Sequence, residues 1–155
     1  MKQLVFAAFL MLTVVSLAQE DDTIQLDWLT NLEEAREIAK ENNQPVLVYF
    51  TGSDWCAPCK ALKADFFQTG EFAQRAENMV LVEIDYPRRV DIISETQRAY
   101  NLEVIEAYNT DKSFPKLVML NHKGKELGML SGYSAYGKDT SHHFDFIDAH
   151  LAKFN

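Results

Sequence analysis

The chain has 155 residues, 47% of them hydrophobic, which is enough for one domain with a real apolar core. Its formal net charge is -8. That balance leaves no basic stripe for nucleic acid and disfavours anionic lipid, so its simplest meaning is solubility.

Met1-Lys2-Gln3 opens the chain with positive charge, and Leu4 to Val15 is almost continuously apolar. Ser16-Leu17-Ala18 then offers small residues at cleavage spacing, followed by the acidic Glu20-Asp21-Asp22. The pattern predicts a secretory signal peptide over residues 1–18, and hence an exported, periplasmic or extracellular protein. The apolar run is short for a bilayer span, so a membrane anchor through an uncleaved leader is the second reading. No cysteine lies near Ala18, which excludes a lipid-modified N-terminal cysteine. Residues 19–25 read as a flexible polar leader, and residues 26–155 as the folded domain.

Thr30 and Glu33 have capping-box spacing, and Leu32, Ala35, Ile38 and Ala39 form an apolar stripe that ends near Lys40. Asn42-Asn43-Gln44-Pro45 breaks this helix. Val46 to Phe50 is a continuous apolar run and reads as a buried strand. Thr51 to Asp54 is a loop that delivers Trp55 and Cys56 to a second helix, with Leu62, Phe66 and Phe67 facing inward. Val80 to Ile84 is the next strand, closed by Asp85 to Arg89. A helix is predicted from about Asp91 to Tyr100, followed by a polar stretch from Glu103 to Ser113. Leu117–Leu120 and Lys125–Leu130 flank Asn121-His122-Lys123-Gly124, a hairpin by its turn residues. A last helix starts near Thr140 or Ser141 and aligns Phe144, Ile147, Leu151 and Phe154 on one face. His142-His143 at its start reads as solvent-facing. The order α-β-α-β-α-β-β-α predicts an α/β fold, with a central mixed sheet flanked by helices.

Chemistry concentrates in Trp55-Cys56-Ala57-Pro58-Cys59-Lys60, which holds the only two cysteines. Two intervening residues allow a small disulfide ring, and they place the first sulfur at a helix N-terminus. Unpaired N–H groups and the helix dipole there favour thiolate over thiol. Cys56 is therefore the candidate nucleophile and Cys59 the resolving thiol. Pro58 fits the first turn, where its missing N–H costs nothing. A loop this short constrains the unfolded chain little, so stability is a weak reason for the bond. The competing readings are an inert short disulfide and half of a zinc site. The latter needs two more ligands, and His122, His142, His143 and His150 have no finger spacing, so no metal is expected. Nothing in the sequence binds a nicotinamide or flavin, so no cofactor is expected.

The element order, together with Trp-Cys-x-x-Cys at a strand-to-helix junction, resembles the thioredoxin family over nearly all of residues 26–154. Pro115 stands where that family has a cis-proline facing the dithiol, Asp85 ends the strand after the active-site helix, and Gly132 follows the last strand. The segments Phe50 to Cys56 and Leu81 to Arg88 are similar to secreted bacterial thioredoxin-like proteins. The resemblance implies a thioredoxin-like fold and a protein disulfide reductase working through a mixed disulfide. Ala57-Pro58 is closer to the Gly-Pro of reducing thioredoxins than to the Pro-His of the strong periplasmic oxidant. It also implies that Trp55, Phe114 and Pro115 contact substrate. The implied partners are disulfide-containing proteins and a redox partner protein such as a membrane thiol reductant. Where the family has a buried Asp beneath the dithiol this chain has Tyr49, and the family's Lys partner falls near Leu81. Glu83 and Asp54 are the candidate proton carriers for Cys59, and both can also be read as solvated acids. Glu103–Ser113 is extra polar sequence relative to thioredoxin, expected beside Pro115, and under a binding-module reading it would serve as an acidic docking loop. The alternatives are a disulfide oxidase or isomerase, and a non-catalytic client-binding or metal-binding module of the same fold.

Overall fold

The structure, a computed structural model, describes residues 24–154. The signal-peptide reading and most of the leader lie outside these residues. Among the described residues no helix is long and apolar enough to cross a membrane.

Strand β1 (Trp28–Leu29) leads into helix α1 (Leu32–Asn42), and β2 (Val46–Thr51) follows. Helix α2 (Ala57–Leu62) continues into a π-helical turn over Lys63–Phe67, then α3 (Gly70–Ala76) and β3 (Val80–Asp85). The chain ends with α4 (Glu95–Tyr108), β4 (Lys116–Leu120), β5 (Glu126–Ser131) and α5 (Ser141–Leu151). The five strands lie in the order β1-β3-β2-β4-β5. β1, β3 and β2 run parallel, while β4 and β5 are antiparallel to their neighbours. This is the mixed, helix-flanked sheet of the thioredoxin-like fold.

Side chains alternate across the sheet with period two, so each central strand feeds two cores. Val46, Val48 and Phe50 join Val82, Ile84 and Val118 on one face, under α1 and α4. Leu47, Tyr49, Leu81, Leu117 and Met119 meet Leu62, Phe66, Phe67, Phe72 and Ile147 on the other, and Cys56 and Cys59 belong to that cluster. Central strands buried on both faces explain why they read as unbroken apolar runs.

The structure corrects four expectations. Asn31, not Thr30, caps α1: its side-chain oxygen accepts from the Glu34 amide at 2.9 Å. The helix predicted from Asp91 to Tyr100 begins at Glu95 instead, capped by Ser94, and runs on to Tyr108. Glu103–Ser113 is consequently not a loop throughout. Its first six residues complete α4, because Val104 and Ile105 are buried against the sheet with Tyr100 and Tyr108 packed alongside. Asn109 is also buried, and its side chain accepts from the Ser113 amide and donates to the Ser113 carbonyl. Lastly, β1 and α3 add two elements to the expected order.

Candidate active site

The tip of β2 and the start of α2 build the site. The Gly52 carbonyl accepts from the amides of Trp55 at 3.2 Å and Cys56 at 2.8 Å, which turns the chain into the helix. Ser53 donates through its amide (2.8 Å) and hydroxyl (2.5 Å) to the carboxylate of Asp85 at the end of β3. Asn101 of α4 donates to the Asp85 carbonyl at 2.8 Å. The loop before the cysteines is thereby tied to the sheet and to α4.

Cys56 is the N-cap of α2, with Pro58 in the first turn. The Cys59 amide donates to Cys56 Sγ at 3.2 Å, and Lys60 continues the helix by donating to the Cys56 carbonyl. Cys56 and Cys59 are joined as a disulfide with an S–S distance of 2.00 Å. A helix-start N–H aimed at the first sulfur is the arrangement that stabilises a thiolate there once the bond is reduced.

Trp55 covers one side. Its Nε1 donates to the Tyr86 carbonyl at 2.7 Å, and its ring meets Phe114 edge-on at 5.5 Å. Phe114 in turn stacks on Tyr86 at 5.9 Å. Gly52 makes room for the indole, since a Cβ at that position would lie 2.3 Å from the ring. The Phe114–Pro115 peptide bond is cis, and the Pro115 carbonyl accepts from Gly132, whose φ is +82°. Trp55, Phe114 and Pro115 therefore belong to one wall, joined to the β5 end of the sheet through Gly132.

Beneath the helix, strand register pairs Tyr49 with Glu83. The neighbour of Tyr49 is thus Glu83, whereas the sequence-based placement of the family's lysine fell at Leu81. The Tyr49 hydroxyl donates to the Cys59 carbonyl at 3.1 Å, and burial pushes its pKa up. Glu83 lies on the dithiol face of β3 with its side chain 24% exposed, 4.0 Å from Lys63 Nζ. Burial raises its carboxyl pKa, Lys63 opposes the rise, and Asp85 adds to it. A void of about 90 Å³ touches Cys59, Glu83, Lys63, Tyr49 and Thr51, enough room for water to carry a proton between Cys59 and Glu83.

Asp54 is placed differently. Its carboxylate accepts from the amides of Arg88 and Arg89, both at 3.0 Å, so it caps that loop. Desolvation pushes its pKa up, but these two amides outweigh it and hold the carboxyl below its ordinary value. That carboxylate is engaged by the Arg88–Arg89 loop, whereas Glu83 is the acid that lines the void beside Cys59. His143 corrects another expectation: it is buried, packed against Phe66 and Tyr133, while His142 remains exposed. Among the described residues no three His, Cys, Asp or Glu side chains cluster as metal ligands. The Arg88 guanidinium lies over the Trp55 ring, 4.7 Å from its centre. Sequence reasoning did not find this contact or the anchoring roles of Ser53 and Asn101. Ser53 adjoins the Cys-x-x-Cys run, but Arg88 and Asn101 are remote from it in the sequence and carried no local signal.

Residues 27–122 match a family model described as thioredoxin-like. The chain is 34% identical over 106 residues to the disulfide bond reductase DsbH of Chlamydia pneumoniae, a match covering 68% of this chain and 62% of that protein. It is 28% identical over 138 residues to the thioredoxin-related protein DsbJ of the same organism, covering 86% of this chain and 39% of that one. The chain thus spans less than two thirds of the length of these relatives. A solved DsbH oxidoreductase superposes with a TM-score of 0.64 at 28% identity, over 90% of this chain and 95% of that one. A thioredoxin from Thermus thermophilus superposes with a TM-score of 0.62 at 19% identity, over 85% and 92% of the two chains. This last likeness concerns the fold alone.

Proposed function

This chain belongs to the thioredoxin-like family, and from that premise we propose that it is an exported thiol–disulfide oxidoreductase that reduces protein disulfides. The observation that carries the reading is the Cys56–Cys59 disulfide at the start of α2, with the Cys59 amide aimed at Cys56 Sγ. In the reduced protein, Cys56 thiolate attacks one sulfur of a client disulfide and the other client sulfur leaves as thiolate. Cys59 then loses its proton and attacks Cys56 Sγ. The mixed disulfide breaks, the second client thiolate departs, and the Cys56–Cys59 bond forms. Two electrons pass from the protein to the client. A further dithiol protein, such as a membrane thiol reductant, must return them for the next cycle.

The Ala57-Pro58 dipeptide supports the reducing direction, as does the similarity to a protein named a disulfide bond reductase. The apolar Leu4–Val15 leader supports export. Equilibration with a glutathione buffer tests the direction. A potential near that of thioredoxin, about -270 mV, is expected; one near about -120 mV would make the protein an oxidant instead.

Glu83 is the proton carrier for Cys59 in this mechanism. Glu83→Gln is expected to slow the resolving step on the order of tenfold or more at pH 7, seen as accumulation of mixed disulfide. Its stability effect has a definite sign. The folded carboxyl titrates above its ordinary value of 4.5, so the native state binds more protons than the unfolded chain as pH rises past that value. Stability is then lost with rising pH through the folded pKa, the reverse of an ion-paired acid. Glu83→Gln should therefore raise the thermal midpoint at pH 7, with the gain vanishing below about pH 4. A variant with a lower midpoint at neutral pH and an unchanged resolving rate would remove Glu83 from this role.

A further inference from the structure

The corner around Trp55 is cationic on a chain of net charge -8. Lys60, Arg88, Arg89 and Arg98 gather there around two carboxylates, Asp54 and Asp91. Lys60 donates to the Asp54 carbonyl at 3.2 Å. Arg98 donates to the carbonyls of Pro87 and Arg89, each at 2.7 Å. Arg89 pairs with Asp91, while the Asp54 carboxylate is taken up by the Arg88 and Arg89 amides. The loop from Pro87 to Arg89 is held on three sides by these bonds.

Of these four side chains, Arg88 alone makes no hydrogen bond among the described residues, whereas Lys60 and Arg98 reach backbone carbonyls and Arg89 a carboxylate. The Arg88 guanidinium lies 4.7 Å above the Trp55 ring, and among the described residues it has no carboxylate partner within ion-pair distance. The face of an indole attracts a guanidinium and leaves the N–H fork at its edge free to meet a planar carboxylate. On the same loop Val90 is 81% and Ile92 38% exposed. Arginine, an aromatic ring and aliphatic side chains in one patch are the composition of a protein contact surface rather than of ordinary solvated surface.

We propose that Arg88, seated on the Trp55 ring beside Cys56, selects client disulfides that carry a carboxylate side chain next to the reacting half-cystine, with the client segment lying along the Pro87–Ile92 loop. This rests on the oxidoreductase reading and adds a substrate class to it. The overall negative field of the protein repels a generally acidic client. The preference therefore acts within roughly a Debye length of about 8–10 Å and depends on the local residue, not on the client's net charge.

The test uses two disulfide peptides identical except for Glu or Lys beside the cysteine. Reduction of the neutral bis-hydroxyethyl disulfide is measured alongside. The wild type should show a kcat/KM about fivefold higher for the Glu peptide, the upper end for an exposed ion pair. Arg88→Gln should bring the ratio near one, Arg88→Glu should reverse it, and Arg88→Lys, which keeps the charge without the planar fork, should keep only part of it. Added salt should shrink the wild-type ratio. The readout is a ratio, so a general loss of activity or of folded protein does not imitate it. Equal wild-type rates on both peptides, or a preference that survives Arg88→Gln, would overturn the assignment. If the wild type fails even on bis-hydroxyethyl disulfide, the oxidoreductase reading falls separately. Docking is then read from the Kd of the same two peptides with Ser for Cys: tighter binding of the Glu form sustains the role of Arg88, and equal binding ends it.

Discussion

Cys56→Ser is expected to lose protein disulfide reduction by at least about three orders of magnitude, the scale on which loss of a covalent nucleophile acts. Cys56 caps α2 and receives the Cys59 amide at 3.2 Å, so its sulfur is the one whose anion the helix start stabilises. A serine hydroxyl there stays protonated at neutral pH and cannot attack sulfur at a useful rate. Cys59→Ser should behave differently. The first attack proceeds, no second thiolate follows, and the client remains bound to Cys56. Mass spectrometry after incubation with a protein disulfide should find that adduct on Cys59→Ser and not on Cys56→Ser. Wild-type reduction of insulin by Cys56→Ser would refute the nucleophile assignment.

Deletion of Glu103–Ser113 should leave no folded protein, and so no activity on small or large disulfides. The segment holds the last six residues of α4 and the Asn109 turn that leads into Pro115. Ile105 is 1% exposed and Val104 is buried beside it in the core under α1 and α4. Truncating one such side chain costs about 2–5 kcal/mol, and losing both approaches the roughly 5–15 kcal/mol stability of a whole domain. Ile105→Ala gives the graded version, with the thermal midpoint lowered by roughly 10 °C. A deletion variant that reduced a small disulfide at the full rate would return the segment to the surface.

The polar composition of that segment conceals its helix. Glu103, Glu106, Asn109, Asp111 and Lys112 give it a polar composition, which looks like loop when counted residue by residue. The burying residues, Tyr100, Val104, Ile105 and Tyr108, are spaced three and four apart, and that spacing carries a helix whatever lies between them. Asn31 and Thr30 show a different difficulty. Both residue types cap helices, and only the path of the backbone decides which side chain reaches the amide three residues on. Strand β1 has two residues and therefore no periodicity to read, and α3 buries only Phe72.

Local patterns in the sequence by themselves determined the central strands, helices α1 and α5, the hairpin, and the dithiol at a strand-to-helix junction. Each depends on neighbouring residues: apolar runs of strand length, an apolar stripe at helical spacing, turn residues, and two cysteines one turn apart. The tertiary structure alone decided which face of β3 carries Glu83, that Asp54 accepts from the Arg88 and Arg89 amides, that His143 is buried, and that Arg88 lies on Trp55. A strand alternates its side chains between two faces, and a loop acid has no partner until remote backbone arrives beside it. Those outcomes depend on contacts between residues about 30 or more apart in the chain, which only the packing of the whole sheet and its helices brings together.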